Sequence, residues 1–170
     1  GIWLVFIEMT IVNFAWYFDI YFRSPGLLVI WSLGISMIVL AALVHLPRKI
    51  ILLFSLLLIL GHNLLDAVHF NGNVFWAILH EFAFFKITNA VEFVVGYPII
   101  PWIAVMSLGY YFGAFYDKSF VAEKRKKLFN IIGISALIAF VILRYSNLYG
   151  DSIHYKDYGT LSKNLISFFN

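Results

Sequence analysis

The stretch YPIIPWIAVMSLGYYFG, residues 97–113, restricts the possible folds of this chain most strongly. It is an apolar run with two prolines near its start. Pro98 and Pro101 are compatible with the first turn of a helix, because the amide groups there have no helical partner. After them the sequence stays apolar to Phe115, close to the ~20 residues that a membrane-spanning helix needs. The stretch therefore predicts a transmembrane helix.

The composition of the whole chain agrees with a membrane protein. Hydrophobic residues make up 62% of the 170 residues, charged residues make up 12%, and the mean hydropathy is +0.89. A soluble domain carries roughly twice as many charged residues. The chain has no cysteine, so disulfide and thiolate chemistry are excluded.

Five apolar segments are long enough to cross a bilayer. They are residues 1–18, 27–46, 50–68, 98–116 and 127–145. The connection from about residue 70 to 96 differs, since residues 74–86 are too few to span and too aromatic for a free loop. We expect an interfacial or re-entrant helix there, with these side chains at headgroup depth: Phe75, Trp76, Phe82, Phe84 and Phe85. The predicted fold class is all-α, a polytopic transmembrane helix bundle of about five spans plus this short helix, in a single domain.

The distribution of lysine and arginine among the loops predicts the orientation in the membrane. Most of them lie in the loop after Pro47 and in the loop 117–127, which contains the cluster KRKK at residues 124–127. The positive-inside rule places these loops, and with them Gly1, in the cytoplasm. The connection 74–96 and the tail after Arg144 then face outward. We expect an integral protein of the bacterial cytoplasmic (inner) membrane, with the lipid bilayer as partner and without nucleic-acid binding.

Polar residues within the first apolar segment are candidates for function, because ionised groups are costly in a bilayer. Glu8, Asn13 and Asp19 are the residues concerned. Glu8 and Asp19 are eleven residues apart, about three helical turns, so a continuous helix places them on one face. We expect this face to line the interior of the bundle and to bind substrate. The alternative is that Glu8 only bonds to a neighbouring helix and holds the bundle together.

The end of the third segment, HNLLDAVH, has a spacing that suggests acid–base chemistry. His62, Asp66 and His69 are at positions i, i+4 and i+7, on one face of an α-helix. A carboxylate one turn from an imidazole fixes its tautomer, as a general base requires. His80 and Glu81 are predicted to lie on the same side of the membrane. Two alternatives remain: polar groups bonded to each other at the outer interface, or metal ligands. The metal signal is weak, and we expect no metal.

Other functional motifs are absent from the sequence. It has no Gly-rich phosphate loop, no Gly-x-Ser-x-Gly elbow and no His-Glu-x-x-His motif. A membrane transporter or flippase-like carrier for a saccharide or glycolipid remains an alternative to an enzyme, as does a non-catalytic membrane module. Neither inverted repeats nor paired broken helices are visible.

Several segments carry a resemblance to a known family. The most specific are YPIIPWIAVMSLGYYFG, HNLLD at residues 62–66 and LYGD at residues 148–151. Through nearly its whole length the chain resembles the bacterial membrane family of unknown function that is grouped with the heparan-alpha-glucosaminide N-acetyltransferase catalytic domain. The resemblance implies a polytopic acyltransferase. It would move an acetyl or similar group from acyl-CoA (acetyl-CoA) on the cytoplasmic side to an amine or hydroxyl of a saccharide or glycolipid acceptor outside.

The resemblance also implies that this chain is the middle portion of a longer enzyme. The main catalytic pair, an aspartate and a histidine of an early helix, would precede Gly1, and further spans would follow Asn170. Within this chain we expect His62, oriented by Asp66, to act as a supporting base or to bind the acceptor.

The remaining candidates are expected to contact the substrate rather than to react. The predicted substrate-binding residues are Glu8, Asn13, Asp19, His80, Tyr97 and Trp102. Tyr97 and Trp102 would line the entrance for the acceptor; alternatively they belong to the aromatic belt of the membrane interface.

Overall fold

The computed structural model describes residues 1–150 and 153–169. The helices are α1 (Ile2–Ile7), α2 (Asn13–Tyr17), α3 (Val29–Leu43), α4 (Arg48–Gly61), α5 (Val74–Leu79), α6 (Ile99–Gly113), α7 (Ala122–Ser146) and α8 (Leu161–Phe169). A π-helical turn, Glu8–Val12, joins α1 to α2, and 3₁₀ segments, His62–Ala67 and Ala114–Tyr116, follow α4 and α6. The strands are β1 (Gly26–Leu27), β2 (Ala83–Lys86) and β3 (Glu92–Val95).

The chain divides into two compact units, Gly1–Gly113 and Ala114–Asn170. Each unit is described by itself, and the single transmembrane domain expected over residues 1–170 stays a prediction.

Three of the five predicted spans are confirmed. Within the described residues, three helices are long and apolar enough to cross a membrane, Arg48–Ala67, Ile99–Tyr116 and Ala122–Ser146. They correspond to the predicted segments 50–68, 98–116 and 127–145. As the two prolines indicate, α6 begins at Ile99, directly after Pro98, and Pro101 lies in its first turn.

The first two predicted segments form shorter apolar helices, Ile2–Tyr17 and Val29–Leu43, so the count of five spans stays a prediction. Each is shortened at the end that adjoins the loop between them: the first helix at its C-terminal end and the second at its N-terminal end. Phe18 adopts a left-handed conformation with φ 49°, which ends α2. Gly26 and Leu27 belong to β1, so α3 starts only at Val29.

Helix packing in the first unit depends on small residues. α6 packs against α3 and α4, and α1 packs against α3. The buried positions of these helices include serine and glycine: Ser32, Gly34, Ser36, Ser55 and Ser107. A Cβ atom on Gly34 would lie 2.9 Å from the carbonyl oxygen of Gly1 and from a methyl carbon of Val5. The close approach of α1 to α3 therefore requires glycine here, as is common in membrane helix pairs.

The described fold is mostly helical, as predicted, but it also contains a three-stranded sheet with the strand order β1-β3-β2, which the all-α prediction did not include. β1 is parallel to β3, with Gly26 paired to Val94 and Leu27 to Val95. β2 is antiparallel to β3. The sheet joins the loop between α2 and α3 to the connection between α5 and α6. These two loops therefore meet at one end of the first unit.

The helix predicted over residues 74–86 is correspondingly wrong after Leu79, where α5 ends. Residues 83–86 alternate between half-buried and exposed, which is the period of a strand. Ala83 and Phe85 pack against a buried cluster of Leu27, Ala77 and Val95. Because this packing includes Leu27 of β1, which is far away in sequence, aromatic content alone did not reveal it. Phe75, Phe82 and Phe84 are exposed, and their placement at headgroup depth stays a prediction.

The second unit consists of the turn Ala114–Tyr116, the long helix α7 and a tail that returns to the end of α7. Asn147, with φ 52°, ends α7, and the tail contains α8. The LYGD segment is described as far as Gly150, and Asp151 lies outside the described residues.

Candidate functional site

Two hydrogen-bonded pairs of side chains and a neighbouring histidine lie where α4 ends and α5 ends. We refer to these residues as the histidine cluster: His62, Asp66, His69, His80 and Glu81. The 3₁₀ helix His62–Ala67 extends α4 and carries the first two. His80 is the C-cap residue of α5, and Glu81 follows it.

His80 and Asp66 form the more buried pair of the cluster. Nε2 of His80 lies 2.9 Å from Oδ1 of Asp66, and the side chains are 3% and 50% exposed. Because a carboxylate only accepts, Nε2 donates its proton, and Nδ1 of a neutral ring then carries a lone pair. Within the described part of the chain, this buried Nδ1 has no hydrogen-bond partner. Asp66 thus fixes one tautomer of a buried imidazole.

Trp76 fixes the position of the His80 ring. Its indole Nε1 donates to the carbonyl oxygen of Val68 at 3.0 Å, and its backbone N–H donates to Oδ1 of the N-cap residue Asn73 at 3.1 Å. The ring centroids of Trp76 and His80 are 5.6 Å apart. The ring of His62 approaches His80 edge-on at 6.4 Å. The imidazole of His80 is therefore held between two rings.

His62 is oriented by the backbone rather than by Asp66. Its Nδ1 lies 2.9 Å from the carbonyl oxygen of Ile59 and 3.2 Å from that of Leu58. Carbonyls of the last helical turn lack backbone donors, and a carbonyl only accepts, so Nδ1 carries the proton. The neutral ring then has its lone pair on Nε2. His62 is half-buried.

The expected contact of Asp66 with His62 is corrected by the local helix type. A 3₁₀ helix has about three residues per turn, so a side chain lies above the residue three positions before it. Accordingly Nδ2 of Asn63 lies 3.4 Å from Oδ2 of Asp66. The 3₁₀ helix ends at Ala67, so His69 is not on a helical face with His62, contrary to the prediction.

His69 and Glu81 form the second pair. Nδ1 of His69 lies 2.6 Å from Oε1 of Glu81, and the side chains are 66% and 25% exposed. The structure thus brings His80 and Glu81 to the HNLLDAVH segment. In residues 1–150 and 153–169, no group of three or more histidine, aspartate or glutamate side chains is placed to hold a metal ion.

Glu8 is fully buried in the first unit and contacts the start of α3. Its Oε2 accepts a hydrogen bond from the backbone N–H of Trp31 at 3.1 Å. This N–H belongs to the first turn of α3, whose amides have no helical partner. Glu8 therefore caps α3 from a neighbouring helix. Its Oε1 is buried and, among the described residues, has no hydrogen-bond partner.

Asn13 is also fully buried, and its amide group bonds only to backbone. Its Nδ2 donates to the carbonyl oxygens of Glu8 at 2.6 Å and Gly26 at 3.0 Å. Its Oδ1 accepts from the N–H of Gly26 at 2.5 Å. Asn13 thus attaches β1 to the start of α2.

Asp19 lies beyond the end of α2, so it does not share a helical face with Glu8, and this expectation is corrected. Its carboxylate accepts from the side chain of Arg23 at 2.9 Å and from the backbone N–H of Tyr21 at 3.0 Å. The Arg23 guanidinium first, and then the Tyr21 amide, lower the pKa of Asp19 to about 2. Asp19 therefore holds the turn after the first helix.

Tyr97 and Trp102 lie together at the start of α6. Their ring centroids are 5.7 Å apart, and both side chains are half-buried. The backbone N–H of Tyr97 donates to the carbonyl oxygen of Leu27 at 3.1 Å, next to the sheet. The two rings thus form one aromatic surface at the end of the unit where the loops meet. Their role at the acceptor entrance stays a prediction.

Comparison with known protein families shows the family to which the chain belongs. Residues 2–144 match the family described as heparan-alpha-glucosaminide N-acetyltransferase, catalytic. The chain belongs to this family. No curated protein and no solved structure matches it. Membership in the N-acetyltransferase family confirms the resemblance identified in the sequence and indicates a transmembrane acetyltransferase-like function.

The matched part of this N-acetyltransferase family member contains the whole histidine cluster, Glu8 and Asn13. The sequence identified all of these residues but missed one that orients them. Trp76 was expected only at headgroup depth. Its spacing of i, i+4 from His80 on an apolar, aromatic helix was the available signal. Ser107, whose buried Oγ has no partner among the described residues, gave no signal beyond being polar in an apolar helix.

Proposed function

We propose that this chain is part of a transmembrane acyltransferase that moves an acetyl group from acetyl-CoA to an amine or hydroxyl of a saccharide or glycolipid. The acceptor lies on the non-cytoplasmic side. The observation that carries this proposal is the match to the N-acetyltransferase catalytic family over residues 2–144. The name of that family describes acetyl transfer to the amine of a glucosaminide, and the family depends on acetyl-CoA.

The chemistry of the transfer requires a proton acceptor near the acceptor group. The amine nitrogen or hydroxyl oxygen attacks the thioester carbonyl, its bond to the acetyl carbon forms, the C–S bond breaks and CoA leaves with the thiol sulfur. The attacking atom loses a proton, and an imidazole with a free nitrogen can take it.

His62 is the residue that we assign to this step, as a supporting base or an acceptor-binding group. Its Nδ1–H is bonded to backbone carbonyls, so Nε2 retains the lone pair, and the half-buried ring leaves room for a substrate. His80 is more enclosed, at 3% exposure, and is the better positioning residue. Asp66 fixes its tautomer.

The test is the release of CoA by the purified full-length protein in lipid nanodiscs, with acetyl-CoA and a panel of amino sugars. Acceptor-dependent release is expected. The His62→Ala variant should lower kcat by roughly 10²-fold, the usual contribution of a general base. His69→Ala is the matched control, because its ring is exposed and bonded to Glu81.

Two results would contradict the proposal. Unchanged turnover in His62→Ala would remove His62 from the mechanism while leaving acetyl transfer intact. The absence of CoA release from folded protein with every acyl donor would reject the transfer itself. A carrier for saccharides or glycolipids would then be the better explanation, and vesicle flux without covalent change would identify it.

A further inference from the structure

The second unit contains a cavity that lies outside the histidine cluster and outside the family match. Its volume is about 470 Å³. Most of its lining comes from the tail after α7: Ile153, His154, Lys156, Tyr158, Lys163 and Ile166. Small-molecule sites span roughly 300–1,000 Å³, so the cavity is large enough for a sugar-sized group.

The polar lining of this cavity is basic. Lys156 and Lys163 both contribute to it, together with His154, and within residues 1–150 and 153–169 no carboxylate lines it. In the described part of the chain, neither lysine ammonium has an ion-pair partner. The carboxylate of the neighbouring Asp157 is bonded within the tail, since its Oδ1 accepts from the N–H of Gly159 at 2.8 Å and from Nδ2 of Asn164 at 2.7 Å. The cavity therefore presents the positive charge of two lysines that form no salt bridge among the described residues.

The walls of the cavity are held by specific hydrogen bonds. The N–H of Lys156 donates to Oγ of Ser167 at 2.8 Å, and the N–H of Tyr158 donates to Oδ1 of Asn164 at 2.7 Å. These bonds fix the extended part of the tail against α8. Because Oγ of Ser167 accepts from this backbone group, its own hydroxyl proton is free to be donated to a ligand.

Arg144 anchors α8 itself to the end of α7. Its guanidinium donates to the carbonyl oxygens of Phe168 at 2.8 Å and Ser167 at 2.7 Å, which lie at the end of α8. It also donates to the carbonyl oxygen of Ile153 at 2.7 Å. Asn147 adds a two-bond contact with the backbone of Tyr155. The lysines thus project from a backbone that is fixed on both sides.

We propose that this cavity binds a phosphate group, as a monoester or diester, with the adjoining part of the ligand against Ile153, Ile166 and the ring of Tyr158. Lysine ammoniums bind phosphate oxygens as point charges. The site is separate from acetyl transfer and does not depend on it. The same phosphate chemistry occurs in a soluble sugar phosphate and in a phospholipid headgroup.

The experiment uses the full-length protein and has two arms. In the first arm the protein is in maltoside detergent, which contains no phosphate, and calorimetry compares glucosamine 1-phosphate with glucosamine. In the second arm, native mass spectrometry counts phosphatidylglycerol retained from mixed nanodiscs. We expect phosphate-dependent binding in one arm, which identifies the source of the phosphate. The Lys156→Gln/Lys163→Gln variant should weaken it about tenfold, since two exposed charged contacts are lost.

The matched control is Lys118→Gln, which removes the same charge before α7. This helix is about 37 Å long for its 25 residues, so Lys118 is remote from the cavity. Lys156→Arg/Lys163→Arg, which retains the charges, should bind. The proposal is overturned by an absence of phosphate-dependent binding in both arms, by unchanged binding in the double Gln variant, or by equal weakening in Lys118→Gln.

Discussion

The histidine cluster and the polar residues of the helical segment Ile2–Tyr17 are both costly to place in or near a membrane, but they use their hydrogen-bonding groups differently. Glu8 and Asn13 bond to backbone amides and carbonyls of other elements. In the histidine cluster, Asp66 bonds to an imidazole and leaves a lone pair on the opposite ring nitrogen. The first group joins elements together, whereas the second leaves a ring nitrogen of His80 without a hydrogen-bond partner among the described residues.

This comparison shows that the free-energy cost of placing a polar group in a membrane does not by itself separate structural from functional residues. Glu8, Asn13, His62 and Asp66 all lie in apolar helical segments, where polar groups suggest function. The identity of the hydrogen-bond partner separates them. Asn13 and Asp19 have their side-chain groups bonded within loops and helix ends, so their proposed contact with substrate is the weakest of the set. Glu8 is intermediate, since only one of its two oxygens has a partner among the described residues.

Asn13→Ala should have the largest effect on stability. It leaves the buried N–H of Gly26 without a partner, which costs about 2 kcal/mol of the free energy of unfolding. The measurement is denaturant or thermal unfolding in detergent micelles. Thr10→Val is the control in the same helix, because Oγ of Thr10 bonds only to the carbonyl oxygen of Phe6 four residues earlier. If both variants unfold alike, Asn13 does not attach β1 to the first helix.

The parts of the fold that could be predicted are those that depend on neighbouring residues. Hydropathy over about 20 residues identified the spans of α4, α6 and α7, and the prolines identified the start of α6. The sheet could not be predicted in this way. β1 has two residues and pairs with a strand 68 positions later, Gly26 with Val94. No local pattern in the sequence of β1 or β3 predicts that these two strands pair.

The candidate site was predicted as a set of residues but not as a set of contacts. The spacing of His62 and Asp66 assumes an α-helix, and the backbone changes to a 3₁₀ helix at His62. That change moves Asp66 from His62 to Asn63 and makes it available to His80. Side-chain spacing cannot detect it, because the same residues fit either helix.

Asp66→Asn should separate positioning from packing in the histidine cluster. The amide oxygen of asparagine still accepts from Nε2 of His80, so the fold is retained while the negative charge is lost. We expect kcat for acetyl transfer to fall roughly tenfold or more, with the KM for acetyl-CoA unchanged. Glu81→Gln, in the more exposed pair, is the control. A lower melting temperature with unchanged kcat would assign Asp66 to structure and remove the contrast between the two regions.

Asp19→Asn should have the smallest effect on stability, and this effect should depend on pH. The pKa of its carboxyl falls from the ordinary 3.8 to about 2 in the folded chain, mainly because of the Arg23 guanidinium. A lowered pKa contributes stability above the unfolded value, and this contribution is lost as the pH falls through the folded value. The stability difference between the protein and its Asp19→Asn variant should therefore shrink between about pH 4 and pH 2. Melting temperatures in detergent across this range measure it, and Arg23→Gln should give the same trend. A constant difference would show that the ion pair does not hold this turn, and Asp19 would return to the candidates for substrate binding.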